Sequence, residues 1–286
     1  MEYLNEDILF NTVSMLSDSG RIVLVVEGVD DRHALESHVS DCVDVICGTG
    51  GKVQLLNASM LVDERRLRRV KFLVDRDYDS TGSSNGKDEY SVLRSTNHDV
   101  FMDLLESNDR VFRRVVSAHN RGRISTRDEG VLESILSEAI SAAMPVGMLR
   151  KISVSNDWGL NLSDFPFGKM KGSLDGGASC VVDIALGRSN SPIERELAVN
   201  LLSAAMDECG SEIRSMVSDH DFFSALSLVL DERGFRKVSS RSLSDSFFAA
   251  IDCDSLSGAA WFRELNLWCM EIAEVSCFGC PCEVAA

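Results

Sequence analysis

Three short apolar runs, each ending at a carboxylate or a glycine turn, limit what this chain can fold into. The first, Arg21-Ile22-Val23-Leu24-Val25-Val26-Glu27, lies between Gly20 and Gly28. The second, Val43-Asp44-Val45-Ile46-Cys47, stops at Gly48-Thr49-Gly50-Gly51. The third, Val70-Lys71-Phe72-Leu73-Val74-Asp75, runs into Arg76-Asp77-Tyr78-Asp79. A run that is apolar at consecutive positions reads as a strand covered on both faces, the arrangement of parallel sheets. Helical spacing over 2–18, 30–39 and 52–68 alternates with these runs, and Tyr90–Arg94 adds a fourth strand. The β-α-β-α-β order predicts an α/β fold, a Rossmann-like domain built on a parallel sheet.

Past residue 99 the pattern is helical, over about 99–118, 128–144, 193–217, 220–232, 243–252 and 255–275. The Gly- and Ser-rich stretch 152–190 reads as irregular structure anchored by Trp158, Phe165 and Phe167, and Ser80–Lys87 as an exposed loop. The change of pattern predicts two domains, an α/β domain over 1–127 and a mostly helical one over 128–286 that serves interaction or dimerisation. Residues 1–127 hold 17 basic and 21 acidic side chains, and residues 128–286 hold 12 and 24. The second half is thus expected to repel polyphosphates, and the whole chain, at net charge −16, to avoid non-specific coating of DNA. Two basic stretches run against this trend, Arg65–Lys71 and Arg110–Arg127 with His119 inside it; such runs are more often solvated helix faces than nucleic-acid contacts.

No run of 18 apolar residues occurs, so no membrane span is expected. The acidic start, Met1-Glu2-Tyr3-Leu4-Asn5-Glu6-Asp7, lacks the layout of a signal peptide and predicts a cytoplasmic location. Nine cysteines, an odd count, then argue for reduced thiols, with Cys42, Cys47, Cys180, Cys209, Cys253 and Cys269 acting as small hydrophobes. Cys277, Cys280 and Cys282 have metal-like spacing but no companion pair, which favours a structural or incidental role.

The chemical signal is acids at strand ends. Ligands of open parallel sheets bind beyond the carboxyl ends of the strands. Glu27 ends one strand and Asp75 another, and Asp77, two residues on, shares a side with Asp75 if the chain stays extended. Converging carboxylates repel unless a cation joins them, and Mg2+ or Mn2+ is a hard, oxygen-seeking choice that takes phosphate oxygens in its open positions. The chemistry implied is phosphodiester or phosphoryl transfer. Asp79 reads as a turn cap.

The segments Val26-Glu27-Gly28-Val29-Asp30-Asp31, Gly50-Gly51-Lys52 and Leu73-Val74-Asp75-Arg76-Asp77-Tyr78-Asp79 resemble a TOPRIM domain, over about residues 20–106. More narrowly they resemble the TOPRIM group first catalogued as domain of unknown function 4435, which includes the nuclease effector of the PARIS anti-phage defence system. Thr96-Asn97-His98-Asp99 is similar to that group's threonine–x–histidine–aspartate motif, although Val100 and Phe101 stand where an acid often follows, with Asp103 further on. The resemblance implies a metal-dependent endonuclease in which Glu27, Asp75 and Asp77 hold Mg2+ and Asp31 serves as an outer or second-metal ligand. Glu27, Lys52 and His98 would be catalytic, Lys52 steadying a phosphate and His98 donating to it or orienting Asp99. It further implies an ABC-type ATPase partner, a homodimer when active, and RNA such as tRNA as substrate in preference to duplex DNA. No tyrosine is placed as a strand-passage nucleophile, so hydrolysis is favoured.

Two other classes compete. A strand ending in DxD also occurs in haloacid-dehalogenase-type phosphatases, but there it lies near the start of the fold, whereas here two strands precede it. An adaptor subunit with vestigial carboxylates is the non-enzymatic alternative. A P-loop is excluded, because Ile46 occupies its first glycine position and Val53 follows Lys52.

Overall fold

The computed structural model of the protein describes residues 6–79, 90–172 and 177–279. Four strands, β1 (Ile22–Val26), β2 (Val43–Cys47), β3 (Val70–Val74) and β4 (Val92–Arg94), form one sheet in the order β2-β1-β3-β4. Every pairing is parallel, and Val26 stands beside both Cys47 and Leu73, so the carboxyl ends lie level. β1 and β3 are buried at every position, the physical counterpart of their unbroken apolar runs. Helices α1 (Glu6–Asp18), α2 (Val29–Glu36) and α3 (Gly51–Arg65) alternate with the strands. Leu9 and Val13 of α1 and Leu55, Ala58 and Val62 of α3 close over Val23, Val25, Phe72 and Val74. The α/β class expected from the sequence is thus the observed one. The expected loop at Ser80–Lys87 lies outside the described residues.

The chain divides into two compact units, but not at residue 127. One comprises residues 1–109 together with 251–286, and the other residues 110–250. Two local causes move the boundary. The expected helix over 99–118 is broken at Asn108-Asp109 into α4 (Val100–Ser107) and α5 (Arg110–His119). Of these, α5 buries Val111, Phe112, Val115 and Val116 within the second unit, where Arg114 donates to the Ala250 carbonyl at 2.6 Å. At the other end the chain returns to the sheet domain. There α11 (Cys253–Ser257) packs on α4, with the Ser107 hydroxyl donating to the Ser255 carbonyl at 3.1 Å, and α12 (Ala260–Ala273) packs on β4. Phe278 stacks on Phe262 and bridges to Val39.

This return also revises the cysteine reading. Cys269 is joined to Cys277 as a disulfide, their Cα atoms 5.6 Å apart, and Cys253 is disulfide-bonded as well. The turn after α12 doubles the chain back on its own helix and brings the two sulfurs together, which no sequence spacing announces. Cys42, Cys47 and Cys180 are free thiols, and Cys209 is in no disulfide. Cys280 and Cys282 lie outside the described residues.

The second unit is helical, with α6 (Glu129–Ser155), α7 (Ala178–Leu186), α8 (Arg195–Glu208), α9 (Asp219–Glu232) and α10 (Ser240–Ala250). Pro145 predicts a helix end near residue 144, but α6 runs through the proline to Ser155. Burial of Ala142, Ala143, Val146, Met148 and Leu149 offsets the lost hydrogen bond. α7 falls in the stretch expected to be irregular; its Ala-Ser-Cys-Val-Val-Asp-Ile-Ala-Leu segment is short and stands against a glycine-rich flank. α6 is long and apolar enough to cross a bilayer, but 61% of its most apolar window is buried inside the protein. Its apolarity serves the core of this unit, against α9 above all.

Gly147 marks the tightest point of that core. A Cβ there would lie 1.7 Å from the Met216 carbonyl oxygen, whereas one on Gly130, in the first turn of the same helix, would meet nothing. Gly147→Ala is expected to destabilise the protein by about 2 kcal/mol or more through overpacking. Gly130→Ala should stabilise it by about 0.5 kcal/mol through lower backbone entropy of the unfolded chain. Thermal denaturation of the two variants checks both signs.

Candidate metal centre

The strand order places β1 and β3 side by side with their crossovers leaving in opposite directions, the topological switch point where open α/β sheets bind ligands. Glu27 and Asp75 are the first residues past these two strand ends. The Asp75 N–H donates to Glu27 Oε1 at 2.8 Å, so the two acids meet across the switch point. Asp75 Oδ1 in turn accepts the Val100 N–H, at 3.1 Å, from the first turn of α4. Asp31, the third residue of α2, accepts the Gly28 N–H at 2.8 Å and is buried. Asp99 caps α4 by accepting the Met102 N–H at 2.8 Å. The amino ends of α2 and α4 thus converge on the acids, and their partial positive charge favours anions there.

Asp77 is placed differently from its expected position. β3 ends at Val74, and Asp77 adopts a left-handed backbone (φ 52°), so the alternation of an extended chain does not govern it. The His98 carbonyl accepts its N–H at 2.8 Å, and its Oδ2 accepts a 3.0 Å bond from Lys52 Nζ. Its charge acts on Glu27, while Asp75 is pushed upward by burial first and then by Asp99, Asp31 and Glu27. The acidic cluster is therefore Glu27, Asp31, Asp75 and Asp99, with Asp77 on the Glu27 side.

Lys52, near the start of α3, is half-buried and engaged within the protein. Its ammonium donates to the Arg76 carbonyl at 3.0 Å and pairs with Asp77 and, at 2.7 Å, with Asp79. It pins the acidic loop instead of standing free for a phosphate. Asp79, expected to cap a turn, belongs to this ion pair and faces Arg94 at 3.7 Å. Gly51 makes the approach possible, since its φ of 65° starts α3 where a side chain would be strained. His98 is buried, edge-on to Tyr78 with ring centroids 4.8 Å apart, and its Nδ1 lies 3.5 Å from Asp99 Oδ2.

The sequence reading notes Asp103 beyond the Thr96–Asp99 motif but gives it no role. Asp103 accepts the Thr96 and Asn97 N–H groups at 2.7 and 2.6 Å and the Asn97 side-chain amide at 2.9 Å, holding the loop that carries His98 and Asp99. The signal is present in the chain: an aspartate inside Val100-Phe101-Met102-Asp103-Leu104-Leu105, where every neighbour is apolar. Asp103→Ala leaves these buried donors unpaired and should cost about 2 kcal/mol or more, measured by chemical denaturation.

No protein-family model matches the chain, and no curated protein matches it.

Burial dominates the electrostatics. The Glu27 carboxyl is pushed up to about 7, by burial first, with Asp77 and Asp31 adding and the Asp75 N–H and Lys52 opposing. Asp31 is pushed up to about 6, by burial and by Asp99 and Asp30. Asp75 rises far above the carboxylate range, by burial and then by Asp99, Asp31 and Glu27. Among the described residues no three acids stand in a finished ligating cage. The donor chemistry nevertheless fits a hard divalent cation: Glu27, Asp31 and Asp75 each give one oxygen to a backbone N–H and, among the described residues, leave the other unbonded. A cation there would relieve the repulsion and desolvation that raise these acids.

In a carboxyl whose folded value exceeds its unfolded one, the native state holds the proton longer, so stability falls as pH rises between the two values. For Glu27 that window runs from its ordinary value of 4.5 to about 7. Metal-free protein should therefore melt at a lower temperature at pH 7.5 than at pH 5. Mg2+ or Mn2+ at a hundred times its dissociation constant should restore about 2.7 kcal/mol at pH 7.5. Asp75→Asn should raise the metal-free stability at pH 7.5 and abolish the response to the cation. Calorimetry with and without EDTA measures both.

Proposed function

We propose that the protein is a divalent-cation-dependent phosphodiesterase acting on nucleic acid, an endonuclease of the TOPRIM type. The observation that supports this reading most is the meeting of Glu27 and Asp75 across the β1/β3 switch point, with Asp31 and Asp99 beside them. Glu27, Asp75 and Asp31 would hold Mg2+ or Mn2+, with Asp77 on the Glu27 side. When bound, the cation supplies Lewis-acid polarisation of a phosphate oxygen and lowers the pKa of a coordinated water. Glu27 would serve either as a ligand of the cation or, left off it, as the group that takes up and returns a proton, the role that its value of about 7 in the cation-free protein suits. Lys52 keeps the Asp75–Asp79 loop in place and limits the negative charge that Glu27 faces. His98 acts through Asp99, 3.5 Å from its ring, and through the backbone bond its carbonyl accepts from Asp77.

The finer assignments rest on the resemblance of the motifs: RNA such as tRNA as substrate, a homodimer when active, an ABC-type ATPase partner that restrains the nuclease, and an anti-phage role in the cytoplasm. Incubation of the purified protein with tRNA, single-stranded DNA and duplex DNA, in Mg2+ or EDTA, tests the activity. Cleavage in Mg2+ that EDTA stops is expected, with Glu27→Gln and Asp75→Asn each lowering the rate about 100-fold or more. Cleavage that survives EDTA, or that these substitutions leave unchanged, contradicts the proposal.

A further inference from the structure

The corrected unit boundary changes the charge map. Residues 110–250 carry 17 basic and 18 acidic side chains, whereas the sheet unit carries 12 and 27. Nearly all of the net charge thus belongs to the unit with the acidic cluster, and the helical unit is close to neutral.

Within that unit many cations are paired with carboxylates, among them Arg150 with Asp221, Arg195 with Asp183, Arg233 with Glu138 and Lys171 with Asp231. Other exposed cations, such as Arg127, Lys151 and Lys169, have no carboxylate partner among the described residues, and two more stand together around a cavity of about 470 Å³. It is lined by Arg121, Arg123, Arg236, His119 and Phe235, around the carboxyl ends of α5 and α9. Its size lies in the range of about 300–1,000 Å³ common for ligand sites. Compensation of helix ends accounts for Arg123, which donates to the Gly234 carbonyl at 2.6 Å. It does not account for Arg121 and Arg236, whose exposed guanidiniums have no carboxylate or carbonyl partner among the described residues. The nearby acids face elsewhere: Asp231 pairs with Lys171, and Glu232 accepts the Gly172 N–H. The cavity wall is braced from below. Asn120, 2% exposed, donates to the Val116 carbonyl and accepts the Arg236 N–H at 3.0 Å, and His119 Nε2 lies 2.9 Å from the Ser246 hydroxyl.

We propose that this cavity binds a phosphodiester group of single-stranded nucleic acid, with the Arg121 and Arg236 guanidiniums on the phosphate and the Phe235 ring beneath a base. Guanidinium forks match phosphate oxygens in pairs, and an aromatic face beside them is the usual means of holding an unpaired nucleotide. The inference deepens the nuclease reading by placing a substrate-holding site in the second unit, and it rests on that reading for the identity of the ligand.

The test is fluorescence polarisation of a labelled 20-nucleotide single-stranded RNA in EDTA, across a salt series, beside a Mg2+ cleavage assay. Arg121→Glu with Arg236→Glu should weaken binding about 10-fold or more and flatten the log–log salt dependence by about 0.7 for each phosphate no longer neutralised. Arg121→Gln with Arg236→Gln should weaken it less, with an unchanged melting temperature in both pairs. Variants that bind with wild-type affinity and salt slope overturn the proposal whatever the cleavage assay shows. A defect confined to nucleoside triphosphate or inorganic polyphosphate, with RNA unaffected, also overturns it. Binding that the arginine variants lose, in a protein that cleaves nothing, keeps the cavity and removes the nuclease reading. A wild type that does not bind the RNA overturns the proposal, and the cleavage assay then decides the nuclease reading by itself.

Discussion

The hydrogen bond from the Asp75 amide to the Glu27 carboxylate organises the site. It exists because β1 and β3 are adjacent and in parallel register, Val26 beside Leu73, so that both chains leave the sheet at one level. Each apolar run excludes water up to its last residue, and the next residue is an acid. Burial then raises those acids, and helix amino ends and backbone amides hold them in place. Such a cluster stores electrostatic free energy that a cation can release, at a cost to stability in its absence.

The elements around the acids have separate tasks. Lys52 ties the loop after β3 to the start of α3. Asp103 ties the loop after β4 to α4, and so fixes where His98 and Asp99 stand. Lys71 shows how far the fold commits its cations to internal work. It is buried in β3 with its ammonium 4.6 Å from the Tyr90 ring centre and 5.5 Å from that of Trp268, and burial lowers its pKa. Against that background, Arg121 and Arg236 of the second unit, whose side chains have no partner among the described residues, are the cations left to meet an external anion in the proposed cavity.

Much of this is legible in the sequence where one local pattern decides the outcome. The strands are, because continuous apolarity admits few alternatives, and Glu27 and Asp75 are, because they end those strands. Asp77 comes to the Glu27 side by a left-handed turn and not by alternation, which holds only while a chain stays extended. The unit boundary is hidden because composition changes near residue 127, while the partners of α5 and of the final helices are set by packing over more than a hundred residues of sequence. The same dependence on the fold hides the Cys269–Cys277 link and the charge balance of the helical unit. Asp103 is a lone acid among apolar neighbours, but its partners sit in a loop that only the fold brings near.

The central claim is that the acids at the ends of β1 and β3 share one divalent ion. Crystals grown without metal and soaked in Mn2+ would show it by anomalous scattering. The account predicts a peak at about 2.1 Å from a carboxylate oxygen of both Glu27 and Asp75, absent after Asp75→Asn. Saturating Mn2+ with no peak between those side chains, or a peak touching neither of them, would contradict it.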